Sequence, residues 1–140
     1  DVYAIGDVAR YPDPTSGRMR RIEHWSNADA QGAHLGRQLA GAREAYDALP
    51  VFFTQLFDRK LQVLGDVEPA VDCVLRGSLA DGRLVGFHLT EDSRLVGAVV
   101  HGESADVVAE LDALIREKPV VDDPTRLADE SLRPADAVAV

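Results

Sequence analysis

The sequence predicts an α+β chain in two parts: a strand, loop and helix of the α/β kind, then a small antiparallel sheet with one packed helix. Three observations carry that prediction. Residues 2–41 hold one short apolar run, a loop broken by Pro and Gly, and one helical stretch. Residues 71–100 hold three strand-like runs divided by turn signals. Residues 104–118 hold apolar side chains at helical spacing, with a proline directly after them.

Taken in order, Val2 to Ile5 reads as a short buried strand that stops at Gly6 and brings Asp7 to its carboxyl end. In open α/β sheets that edge is where ligands sit. An ionised carboxylate only accepts hydrogen bonds, so a hydroxyl-bearing ligand suits it. Pro12, Pro14 and Gly17 make residues 8–17 a loop, and Ile22 to Trp25 reads as extended. Ser26 or Asn27 then caps a helix running from Asn27 to Gly41. Within it Ala28, Gly32, Gly36 and Ala40 recur at every fourth position and share one face. An interior helical glycine costs about 1 kcal/mol against alanine, which predicts that something approaches this face closely. The first turn also offers unpaired N–H groups and the positive end of the helix dipole.

Glu44 to Pro50 is a linker, and Val51 to Phe57 supplies three of the four phenylalanines of the chain. Lys60 to Leu64 is a strand ending at Gly65. A meander follows: Val71 to Leu79, a turn at Asp81 and Gly82, Arg83 to Thr90, a turn at Glu91 to Ser93, and Arg94 to Val100. Three or four strands are expected in all. Ser104 caps a helix with Val107, Val108, Leu111, Leu114 and Ile115 on one face and Asp106, Glu110, Asp112 and Glu117 off it, and Pro119 stops it. Beyond lies a helical turn near Thr125 to Asp129 and a loose end through ADAVAV.

A chain of 140 residues can bury one sizeable core. Its charge is uneven: residues 1–65 carry eight acidic and eight basic side chains, residues 66–140 sixteen and seven, so the second half holds the whole net charge of −9. That argues against nucleic acid as a partner. Arg18, Arg20 and Arg21 make the loop before Glu23 basic, fit either to steer an acidic protein or simply to face water. No apolar run of about twenty residues and no leader pattern occurs, which predicts no membrane partner. The lone Cys73 has no internal disulfide partner and suits a reducing cytoplasm. His34, His88 and His101 stand at no metal-ligand spacing with Cys73, so no metal is assigned. No nucleophile, base and orienting group can be assembled, so no catalytic residue is nominated.

The succession YAIGD, IEHWSNA and AQGAHLGRQLAG resembles the closing part of the FAD-binding domain of the flavoprotein pyridine-nucleotide reductases. The likeness is to the branch that reduces ferredoxins or rubredoxins and includes the apoptosis-inducing-factor-like proteins. It continues through PVFFTQLFDRKLQVLG and, more loosely, to Lys118. The branch commonly carries a Trp-Ser-Asp-Gln segment where this chain has Phe53, Thr54, Gln55 and Leu56: an aromatic is kept at Phe53, the acid is lost at Gln55, and Asp58 matches.

The resemblance implies FAD as cofactor, NAD(P)H as co-substrate and a ferredoxin- or rubredoxin-like protein as acceptor. It implies that Asp7 accepts from the flavin ribityl chain, that Glu23, His24 and Trp25 lie at the flavin edge, that the backbone at Ala28 faces the pyrimidine carbonyl, and that Phe53 contacts the ring. No GxGxxG occurs, so the chain is expected to be the carboxy-terminal part of a longer enzyme and to be inactive alone. Residues 1–45 then close the FAD-binding domain, 46–118 form the reductase C-terminal α+β domain, and 119–140 are a tail. The alternative is a non-catalytic interaction domain whose α+β module dimerises; without the rest of the FAD-binding domain, the face of Ala28, Gly32 and Gly36 and the first strand are also expected to be exposed and to favour self-association.

Overall fold

A single helix, α1 (Trp25–Leu39), organises the first of two units into which the chain divides, Asp1–Phe52 and Phe53–Val140. The structure is a computed structural model that describes residues 2–14 and 16–138. Ahead of α1 come a 3-10 turn, Gly6–Val8, and a two-rung antiparallel hairpin of β1 (Tyr11–Pro12) and β2 (Met19–Arg20). Asp13, 1% exposed, closes the loop between them: its carboxylate accepts from Ser16 N, from Ser16 Oγ at 2.7 Å and from Arg20 Nη1 at 3.2 Å. Arg20 is therefore spent on a buried acid and is not a free charge for steering.

Two expectations are corrected here. Val2 to Ile5 pairs with no strand among the described residues, and Val2 is 98% exposed. A strand exists only where a neighbour takes its N–H and C=O groups, and an apolar run cannot supply that neighbour. Helix α1 also begins at Trp25, with His24 in the cap position and no side chain bonded to the exposed N–H groups. Ser26 and Asn27 are inside the first turn, where their side chains bond to other segments.

The second unit is built on strands β3 (Val51–Leu56, whose first two residues close the first unit), β4 (Arg59–Gly65), β5 (Asp72–Ser78), β6 (Arg83–Leu89) and β7 (Leu95–His101). They form one sheet in the order β3-β4-β7-β6-β5, five strands where three or four were expected. β4 joins the meander through a non-local pairing with β7, Leu61 opposite His101 and Gly65 opposite Gly97, which periodicity within a strand does not reveal. Gly65 takes φ +78°, and a Cβ there would lie 2.4 Å from Val96 O and 2.7 Å from Ile115 Cγ2, so only glycine fits where β4 ends.

Alternation sends Val85, Phe87 and Leu89 of β6 and Ala98 and Val100 of β7 to one face, where they are buried. Helix α2 (Ala105–Glu117) belongs to the same unit and buries Leu111 and Ile115. Ser104 Oγ accepts from Val107 N at its start, and Lys118, in the left-handed conformation ahead of Pro119, ends it.

The tail is not loose. A 3-10 turn, Pro124–Ala128, and helix α3 (Pro134–Val138) follow α2, with Leu127 and Ala137 buried; residues 139 and 140 of the ADAVAV run lie outside the described residues. What secures this segment is Arg76, on the inward register of β5. Its Nε donates to Leu127 O at 2.6 Å, its Nη1 to Leu132 O at 3.1 Å, and its guanidinium stands 5.1 Å from the Phe87 ring centroid. At the other end, Glu110 of α2 accepts from Ala135 N at 2.7 Å and from Arg133 Nη2 at 3.2 Å.

Arg76→Ala leaves two carbonyls without their donor, and each such buried group costs roughly 1–3 kcal/mol. Urea denaturation of the variant is expected to show a loss of about 2–4 kcal/mol, with amide exchange speeding up first across residues 124–138.

Candidate functional site

The site begins at the bare amino end of α1. Glu23 is exposed, His24 is half-buried with its ring 4.5 Å from that of Phe52, and Trp25, the first helical residue, is 77% exposed. A solvent-facing indole as the only tryptophan of the chain has given up the burial such a ring normally contributes. His24 Nδ1 is buried and has no hydrogen-bond partner among the described residues.

Asp7 lies beside this helix end, in the 3-10 turn and not at a strand terminus as expected. Gly6 sets its place: with φ +71°, Gly6 donates its N–H to Gln31 Oε1 at 2.7 Å, and a Cβ there would sit 3.4 Å from Ala28 Cβ. The Asp7 side chain is exposed. The small-residue face of α1 is covered in part by the residue ahead of this turn, since Ile5 Cδ1 lies 3.9 Å from where a Gly32 Cβ would be; among the described residues nothing comes within 4 Å of the same point on Gly36.

Five of the six candidate residues, Asp7, Glu23, His24, Trp25 and Ala28, are thus gathered at or beside one helix end. Phe53 belongs to the second unit, on β3, where it is 55% exposed with Lys60 Nζ 4.6 Å from its ring centroid.

Sequence reasoning missed what holds this end in place. Asn27, 5% exposed, accepts from Tyr11 OH at 2.8 Å and from Tyr46 OH at 3.0 Å through Oδ1, and donates from Nδ2 to Ile22 O at 2.9 Å. Ser26 Oγ donates to Val51 O. Two of the three tyrosines of the chain meet edge to face at 5.5 Å over this amide. The available signal was a poor helix former flanked by two tyrosines in otherwise polar loops.

The donor set fits a flavin along one wall: a carboxylate for hydroxyls, free helix N–H groups for a carbonyl, and a ring at the same end. The first unit also holds an open cavity of about 470 Å³ lined by Tyr3, Ile5, Val8, Tyr11, Leu35 and Tyr46, and none of the candidate residues lines it. Among the described residues no group of three or more His, Cys, Asp or Glu is placed to hold a metal ion, and no helix is long and apolar enough to cross a membrane. Cys73 Sγ stands 3.8 Å from His88 Nε2, but burial, with Asp72 nearby, pushes the thiol up and burial pushes the imidazole down, each away from its charged form.

Comparison with known proteins decides the family. A family model described as "Reductase C-terminal" matches residues 51–136. The chain belongs to the reductase C-terminal family. It is 31% identical over 140 residues to monodehydroascorbate reductase of Pisum sativum, covering 94% of this chain and 32% of that protein. It is 33% identical over 137 residues to the benzene 1,2-dioxygenase system ferredoxin–NAD(+) reductase subunit of Pseudomonas putida, covering 98% and 32%. The ferredoxin reductase for the CYP199A2 system from Rhodopseudomonas palustris superposes with a TM-score of 0.81 at 30% identity, covering 96% of this chain and 33% of that one. The chain therefore spans about a third of the length of these relatives.

The tyrosines give the first unit a measurable signature. Burial, with Tyr46 and Asp13 nearby, pushes the Tyr11 phenol up to about 12; burial, with Asp13, also raises Tyr46. A phenol whose folded value exceeds the unfolded one, about 10, contributes stability that is complete below that pH and is lost as pH rises through the folded value. Urea midpoints are expected to hold up to about pH 10 and to fall towards pH 12, and Tyr11→Phe is expected to flatten that fall.

Proposed function

We propose that this chain is the carboxy-terminal portion of an FAD-dependent NAD(P)H reductase that passes electrons to a ferredoxin- or rubredoxin-like protein. The observation that carries the reading is an exposed carboxylate, Asp7, beside a helix end with no side-chain cap and an exposed Trp25. The similarity to ferredoxin reductases of known structure supports it. A flavin bound there supplies the redox chemistry.

The residues of the chain have separate duties in this scheme. Asp7 accepts hydrogen bonds from ribityl hydroxyls, and its orientation depends on the Gly6 to Gln31 bond. The amino end of α1, with its N–H groups and dipole, faces the pyrimidine carbonyl near Ala28 and favours negative charge there. Trp25 covers the ring edge and keeps water from it, with Glu23 and His24 flanking. In domain terms, 1–45 completes the FAD-binding part, 46–118 is the C-terminal domain and 119–140 its tail. The single Cys73 suits a reducing compartment such as the cytoplasm.

A hydrogen bond to a charged group is worth roughly 1.5–3 kcal/mol, which corresponds to about ten- to a hundredfold in affinity. In the full reductase carrying this chain, Asp7→Ala is expected to weaken FAD retention by that factor, read from visible absorbance after gel filtration. A wild-type reductase that binds no flavin overturns the reading. One that binds flavin but reduces monodehydroascorbate and no ferredoxin overturns the choice of acceptor.

A further inference from the structure

The Asn27 amide is saturated in an uncommon way. Both lone pairs of Oδ1 are taken by phenols and Nδ2 is taken by a main-chain carbonyl, so three separate segments converge on one side chain in the first turn of α1. The donor to Ile22 O and the two phenol donors fix which end of the amide points where. Aspartate in its place lacks the donor for Ile22 O, and leucine strands two phenols and a carbonyl.

The bonds also define position. Ile22, 4% exposed, anchors the run that leads directly to Glu23, His24 and Trp25. The Tyr46 ring packs edge to face on His34 at 5.4 Å, and Glu44, two residues earlier, takes Arg37 Nε at 2.5 Å while its carbonyl takes Gln38 Nε2 at 2.5 Å. Residues 44–46 thus brace α1 from its last turns back to Asn27.

We propose that Asn27, with the phenols of Tyr11 and Tyr46, is the positioning device that sets where the amino end of α1 stands against the flavin, and thereby tunes the reduction potential of the flavin. This rests on the reading that α1 faces the flavin. None of the three side chains needs to touch the cofactor. A helix end released from this amide withdraws positive potential from the pyrimidine edge, which makes reduction harder.

The test uses Tyr11→Phe and Tyr46→Phe, which remove the donors, keep the rings and change no charge. In the FAD-loaded reductase, each is expected to retain flavin, shift its midpoint potential to more negative values and alter its visible spectrum, with the double variant shifting by less than the sum. In the 140-residue chain without cofactor, the same variants are expected to speed amide exchange at residues 22–28. Asn27→Ala should reproduce both effects; if it fails to fold, the phenylalanine variants decide alone. Flavin retained with potential and spectrum unchanged overturns this proposal and leaves the proposed function standing. A wild-type reductase without flavin overturns both.

Discussion

Buried hydrogen bonds, more than an oily core, hold the first unit together. Among its described residues the buried apolar side chains are Ala9, Ile22, Leu49 and Pro50, set against the buried polar side chains Asp13, Asn27 and Gln31. The second unit buries Phe87, Leu89, Leu95, Leu111, Ile115 and Leu127 among others, and of its buried polar side chains Arg76 bonds to two main-chain carbonyls. Apolar contact is non-directional and tolerates small slips, whereas a hydrogen bond weakens steeply away from its angle. The first unit is thus built from the kind of bond that fixes direction.

That difference explains what could be read in advance. The second unit was legible because its strands alternate and its turns carry Asp81-Gly82 and Thr90 to Ser93, so β5, β6, β7 and α2 came out within a residue or two of their observed ends. Strand β3 (Val51–Leu56) was not, having been read only as a phenylalanine-rich segment, nor was the pairing of β4 with β7, which spans some forty residues and leaves no local trace. Arg76 was missed for a similar reason. A lone arginine at an inward register of an edge strand is an ordinary edge charge until the chain returns fifty residues later with two carbonyls needing donors.

In the first unit, local rules pointed to residues whose true partners are distant. Ser26 and Asn27 are among the best capping side chains, and sequence alone puts them at the cap. Tertiary structure outbids that preference: Val51 O draws the serine, while Tyr11, Tyr46 and Ile22 O draw the asparagine, so the helix starts earlier and stays bare. The apolar run at Val2 to Ile5 failed as a strand because its pairing neighbour is not among the described residues.

A helix end without a cap leaves N–H groups for water to satisfy, at a cost of about 1 kcal/mol of helix stability relative to a good cap. The chain carries two strong capping residues one and two positions inside that end and uses both elsewhere, so composition does not account for the omission. It follows from geometry: a side chain folded back over the helix end would occupy the space in front of the N–H groups. Spending Asn27 on the phenols keeps that space open and makes the end rigid with one amide. Rigidity matters because the field of a helix end falls off within its first turn, so an end that swings by a few ångströms exerts no consistent influence on whatever faces it.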